Sequence, residues 1–145
     1  MFKVIIDTRE QRPWDFPADR FEIDRRKLDA GDYSIAGLEG ELAIERKSLG
    51  DFVSTVIHDW IRFRKELYRL AGYRVAVVVV EADVSDVMEQ RYDTGANPNS
   101  VMGRAAEITI DHGIPVFWWG ARRYCEPRVC QFLTLAAGRL EVRRG

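Results

Sequence analysis

Residues 75–80 read VAVVVV, and that run limits the possible folds more than any other stretch of the chain. β-Branched side chains are stiff at χ1 and pack best on a pleated surface. A strand apolar on both faces must be covered on both, which describes a central strand of a sheet flanked by helices. The run closes on Glu81 and falls far short of the ~20 residues that span a bilayer.

The surrounding sequence supplies neighbours for that strand. FKVIID at the N-terminus reads as a short strand closed by the turn-rich TREQRPWDFP, and RFEIDRRKL alternates weakly as a second. DYSIAG and ELAIERK read as a hairpin joined through GLEG. One helix is expected from about Ser48 to Ala71. Ser48 followed by Asp51 resembles a capping box, Gly72 closes the segment, and Phe52, Val56, Phe63, Leu67 and Leu70 recur at helical steps. Asn97 before Pro98 opens another helix, ending at Gly113. IPVFWW is the last strand, and about Arg122 to Leu140 the last helix. Strands come first as a meander and then alternate with helices, so the expected class is α/β, a central mixed sheet with flanking helices.

The chain's 145 residues make one domain, 1–145, without linker or repeat. Basic and acidic residues number 22 and 23, so no global positive field draws the protein to nucleic acid, and any such affinity must come from local clustering. Cys125 and Cys130 match no zinc spacing and read as reduced thiols. Charges at Lys3, Asp7 and Arg9 argue against a signal peptide. These features lead us to expect an intracellular protein, in cytoplasm or nucleoid/nucleus, with no membrane partner.

The chemistry concentrates in Glu45-Arg46-Lys47, three adjacent charges at the end of an apolar strand. Alternation puts Glu45 and Lys47 on one face and Arg46 on the other. Pairing with DYSIAG brings Asp32 beside Glu45 at the same sheet edge. Two adjacent carboxylates repel unless a cation lies between them, and oxygen ligands favour Mg2+ or Mn2+ over zinc. A lysine beside such a metal can orient or activate a water for attack on phosphorus.

Asp32…Glu45-Arg46-Lys47 resembles the PD-(D/E)xK core of the restriction-endonuclease-like superfamily. The fuller string Gly31-Asp32-x(12)-Glu45-Arg46-Lys47-x(3)-Asp51 resembles the signature of the XPF family of structure-specific DNA endonucleases. IIDTRE, RFRKELYRLAGYRVAVVVVEAD and IPVFWWGARR are similar to that family's opening strand, basic helix with following strand, and late strand. The resemblance implies a restriction-endonuclease-like three-layer domain that hydrolyses phosphodiesters in branched, flapped or forked DNA. It implies metal binding by Asp32 and Glu45 with Asp7 close by, and a contact of Lys47 with the attacking water or scissile phosphate. It also places Arg46 and Asp51 in the signature; from the residues alone, Arg46 reads as a structural ion-pair partner and Asp51 as a first-turn helix acid. It further implies a homodimer or heterodimer through the last helices, where Tyr124, Val129, Phe132, Leu133 and Leu135 fit core and interface equally. The helix-hairpin-helix and helicase domains that accompany this domain in relatives have no counterpart in these residues.

For DNA, His58, Arg62, Lys65 and Arg69 fall at helical steps beside the apolar stripe, either a phosphate-tracking ridge or a solvated face. Arg9 and Arg12 form a second candidate, with Glu10 near the metal. Arg20, Arg25, Arg26 and Lys27 extend the basic surface. Trp14 either packs down on the domain or stacks on an unpaired base. Two alternatives stay open beside the branched-DNA endonuclease: a non-catalytic DNA-binding or scaffold subunit, and a nuclease acting on free ends.

Overall fold

The computed structural model describes residues 1–144, with side chains through residue 141. Its elements run β1 (Phe2–Ile6), β2 (Phe21–Arg25), β3 (Tyr33–Ile35), β4 (Leu42–Ser48), α1 (Leu49–His58), α2 (Trp60–Ala71), β5 (Val75–Glu81), α3 (Val84–Met88), α4 (Pro98–His112), β6 (Val116–Trp118) and α5 (Arg122–Arg144). The six strands form one sheet in the order β2-β1-β3-β4-β5-β6. β4, β5 and β6 are mutually parallel, whereas β3 is antiparallel to both β1 and β4.

The valine run does what its composition demands. Val77 and Val79 join a core with Val4, Ile6, Tyr33, Leu42 and Ile44 that is closed by Val129 and Leu133 of α5. Val78 and Val80 face the other core, built with Phe52, Val56, Phe63, Leu67 and Ile108 of α1, α2 and α4. Val78, Val79 and Val80 are fully buried, each contributing roughly 1.5–2 kcal/mol of apolar burial. The result is three layers: α5, the mixed sheet, then α1, α2 and α4. Trp118 packs against one core and Trp119 against the other, so both faces of the β6 end are covered. Cys125 and Cys130 are free and buried in the α5 core.

Two expectations are corrected. The opening strands do not meander, because β2 runs parallel to β1. A parallel neighbour needs a crossover of a dozen or more residues, and residues 7–20 provide it without regular helix. Trp14 anchors this loop: it is buried and stacks on Tyr33 at 4.7 Å between ring centroids, which settles its packing role. The helix after β4 is two helices. Their 10 and 12 residues, laid end to end, would run ~33 Å, longer than the ~23 Å strand they must retrace to begin β5. The break falls at Asp59, whose N–H is shared between the carbonyls of Ser54 and Thr55. The short α3 was not foreseen, whereas α4 carries the expected Asn97 cap and left-handed Gly113. Among the described residues no helix is long and apolar enough to cross a membrane.

Candidate active site

Glycine is required where the site begins. Gly31 has φ +76°, and a Cβ there would lie 3.0 Å from the Ala43 Cβ and 3.2 Å from the Ile44 carbonyl oxygen. Only a residue without a side chain lets the chain press against β4 in this conformation. Its successor Asp32 donates its N–H to the Ile44 carbonyl at 2.7 Å. With Tyr33 paired to Ile44, Asp32 lies across from Glu45, as hairpin alternation predicts. One Asp32 oxygen accepts the Arg46 N–H at 2.7 Å.

This pairing crowds two carboxylates. Burial is the main cause pushing Asp32 up, to about 7, opposed chiefly by the Arg46 hydrogen bond. Burial and then the charge of Asp32 push Glu45 up, to about 8, with Lys47 pulling the other way. The Lys47 ammonium lies 3.8 Å from Glu45, donates to Thr55 Oγ1 at 3.2 Å, and stands 5.2 Å from the Phe63 ring centroid. A pair of hard oxygen donors with raised proton affinity fits a Mg2+-like ion. Such ions are often held by one or two carboxylates, with waters and substrate phosphate completing the shell.

Asp7 lies next to Asp32, its N–H donating to the Asp32 carbonyl at 2.9 Å, and its charge adds to the field that raises Asp32. Its side chain is fully buried, with one oxygen accepting the Leu28 N–H at 2.8 Å and the other accepting from Arg9 N and Nε at 3.0 and 2.7 Å. Burial pushes this carboxyl up, but the Arg9 and backbone hydrogen bonds outweigh it and hold it below the ordinary value. Among the described residues no three His, Cys, Asp or Glu side chains are grouped to hold a metal ion. Asp7 thus ties down the loop after β1 through its side chain and stands beside Asp32 through its backbone.

The signature residues divide between the two faces of β4. Arg46 points away from Glu45 and is fully engaged: it donates to Glu10 at 3.0 Å, Glu81 at 2.7 Å, the Arg12 carbonyl at 2.7 Å and Tyr33 Oη at 3.2 Å. Its guanidinium also lies 4.6 Å from the Trp14 ring centroid. Tyr33 Oη donates in turn to Glu10, and Trp14 Nε1 donates to Glu81. Asp51 is exposed, and its N–H donates to Ser48 Oγ. It lines a cleft of about 340 Å³ with Arg12, Arg46, Glu81 and Arg122, on the Arg46 side of the strand. The structure thus groups Asp32, Glu45 and Lys47, and places Arg46 and Asp51 behind them.

The basic candidates also divide. His58, Arg62, Lys65 and Arg69 are all exposed, but the break at Asp59 leaves only the last three on one helix, and Arg69 is paired with Glu66 at 2.9 Å. Arg9 is exposed although bound to Asp7, and Arg12 is exposed on the same loop. Arg25 and Arg26 do not extend a free basic surface. Arg25 donates to the carbonyls of Asp7, Thr8 and Glu10, and Arg26 pairs with Asp24 and Glu39. Arg20 is exposed beside α5, lining a groove with Pro127 and Leu135. Sequence reasoning missed Thr55, Phe63 and Glu66. Glu66 adds its negative charge to the field at both Glu45 and Arg9.

Residues 6–123 match the family model for the ERCC4 domain. Among solved structures, XPF from Aeropyrum pernix is similar with a TM-score of 0.73 and 21% identity over 92% of this chain and 61% of that one. The same organism's XPF in complex with DNA gives a TM-score of 0.73 and 20% identity, over 96% and 66% of the two chains. At that identity the likeness is one of fold, and the present chain spans 61% of the length of the first of these proteins. No curated protein matches.

Proposed function

The chain belongs to the ERCC4 domain family, and from that premise we propose that it is a divalent-metal-dependent endonuclease hydrolysing phosphodiester bonds in branched, flapped or forked DNA. One observation carries the reading: Asp32 and Glu45 lie across from each other with their protonation raised chiefly by burial, and in Glu45 also by the charge of Asp32, with Lys47 alongside. Such an arrangement is costly unless a cation relieves it.

Asp32 and Glu45 are the residues that would hold Mg2+ or Mn2+. A metal ion in that position supplies Lewis acidity and positive charge at the scissile phosphate. Lys47 presents a protonated amine on the same face of β4, where it contacts the attacking water or a non-bridging phosphate oxygen. The water oxygen adds to phosphorus as the bond to one ester oxygen breaks, the water's proton passing to solvent and the departing oxygen taking one from solvent. The Lys47 ammonium faces the charge that builds on the phosphoryl oxygens. Arg46 and Asp51 act from the opposite face, Arg46 by fixing the strand end that carries Glu45 and Lys47.

Arg62 and Lys65 on α2, with Arg9 and Arg12 on the loop after β1, provide phosphate contacts that position a duplex without reading its bases. His58 and Arg69 flank them. The XPF from Aeropyrum pernix that was solved with DNA supports this assignment of partner. An intracellular site of action, in cytoplasm or nucleoid/nucleus, follows from a DNA substrate. For dimerisation through α5, Val129 and Leu133 belong to the core, and the exposed Tyr124 and Leu135 remain as the surface for a second chain.

The test is incubation of labelled flap, fork, nicked and linear DNA with Mg2+, Mn2+ or a chelator, beside Glu45→Gln and Lys47→Ala. Metal-dependent cutting of branched substrates, lost in both variants with DNA affinity kept, is expected. Binding without cutting under any metal would instead assign a scaffold subunit, and cutting only at free ends a different nuclease class.

A further inference from the structure

We propose that Thr55 is the positioning residue for Lys47, its hydroxyl fixing the ammonium in the orientation that hydrolysis requires; this inference rests on the nuclease reading above. Lysine is a flexible four-carbon stem with ~2 kcal/mol of rotamer entropy. An unrestrained ammonium would be spread over many positions at the moment of attack. Three groups from three elements surround it here: Glu45 on β4, Thr55 on α1 and Phe63 on α2.

These three contacts differ in kind. The 3.8 Å separation from Glu45 is an ion pair without hydrogen-bond geometry, and a carboxylate that also faces a cation is not a fixed reference point. Phe63 is buried in the α2 core and offers a ring face, which attracts a cation without selecting a direction finely. The Thr55 hydroxyl, at 3.2 Å, is a neutral, directional acceptor that orients the ammonium without neutralising it. Threonine is only a modest helix former. Its place within α1, one turn beyond Asp51 and level with the end of Lys47, has a reason in this contact. A misplacement of about 1 Å in a reacting group lowers rates by on the order of 100-fold, so a single acceptor is enough to matter.

The experiment compares native protein with Thr55→Val, which keeps shape and removes the acceptor, and Thr55→Ser, which restores it. The substrate is labelled flap DNA with Mg2+ or Mn2+, and the second readout is the Nζ resonance of 15N-labelled Lys47, assigned by its loss in Lys47→Ala. Thr55→Val is expected to lower kcat roughly 10- to 100-fold with KM within about twofold and to shift or broaden the Lys47 resonance. Thr55→Ser is expected to recover kcat to within about threefold of native, together with the resonance. Native-like cutting and a native-like Lys47 signal in Thr55→Val, in a preparation whose native protein cuts, overturn the proposal alone. A loss that Thr55→Ser fails to rescue also overturns it, since shape and not the hydroxyl is then at work. Absence of cutting by the native protein under every metal overturns the nuclease reading, and the proposal with it.

Discussion

Replacing Glu45 by glutamine should make the metal-free protein more stable at alkaline pH while removing its chemistry. Glu45 is raised from 4.5 to about 8 and Asp32 from 3.8 to about 7. A carboxyl whose folded value exceeds its unfolded one binds its proton more tightly when folded. The stability it contributes is therefore fully present below the unfolded value and is lost as pH rises through the folded one. For this pair the loss runs from about pH 4 to about pH 8. At 1.4 kcal/mol per unit, and allowing for solvent reaching a half-buried group, Glu45 accounts for roughly 2–4 kcal/mol of it. Glutamine keeps the shape, carries no charge and cannot repel Asp32. In chelator at pH 9, Glu45→Gln should then melt about 6–12 °C above native, with the difference shrinking to a few degrees near pH 5. Magnesium at about ten times its Kd should raise the native protein by ~1.4 kcal/mol, more at pH 9 than at pH 5, and should do much less for the variant. Circular dichroism melts across pH, with and without metal, measure all of this. A native melting temperature that climbs from pH 5 to pH 9 in chelator, or a variant no more stable than native at pH 9, would refute the electrostatic argument.

Double substitution Arg62→Ala, Lys65→Ala should weaken flap-DNA binding about tenfold and reduce the slope of log K against log salt by about 2, measured by fluorescence anisotropy, because two exposed phosphate contacts are removed. Gly31→Ala should cost about 2–4 kcal/mol in urea unfolding. The new Cβ meets β4 at 3.0 Å from the Ala43 Cβ, and the left-handed backbone is unfavourable for alanine. Arg46→Met should destabilise by roughly 3–5 kcal/mol, since Glu10 and Glu81 then lose their shared partner, and Arg46→Met with Glu81→Gln should recover part of that loss. Lys47→Ala, which removes single contacts to Glu45, Thr55 and Phe63 rather than a partner shared by two carboxylates, should melt within a few degrees of native near pH 5, where Asp32 and Glu45 hold their protons.

What the sequence made legible follows from the range of each interaction. Asp32 meets Glu45 because period-two alternation and a short hairpin fix that contact within thirteen positions of chain. The covered valine strand and the α4 caps were equally local in origin. The parallel pairing of β1 with β2 was not, because it depends on Trp14 seating against Tyr33 nineteen positions away. Thr55 and Phe63 escaped notice for a related reason. Which α1 and α2 residues face Lys47 is set by how those helices roll on the sheet and where the chain breaks between them, and that break answers to the length of β4 and β5. Asp51 was legible as a signature residue, but its placement on the Arg46 side is likewise set by the geometry of the strand-to-helix turn.

The division of β4 into two faces explains how the site can hold its unfavourable pair. Pressing Asp32 and Glu45 together works against folding, and the strand end could relieve the repulsion by twisting or fraying. On the opposite face Arg46 is joined to Glu10, Glu81, Tyr33 and Trp14, groups from the first loop, β3 and β5. A fully partnered buried network is rigid because each member loses its partner if one moves. The middle residue of Glu45-Arg46-Lys47 thus anchors the strand against the repulsion imposed on its two neighbours. Repulsion at the carboxylates and ion pairing behind them are consequently two sides of one arrangement, and weakening the Arg46 network should let the strand end fray, admitting water to Asp32 and Glu45 and lowering their proton affinities toward ordinary values.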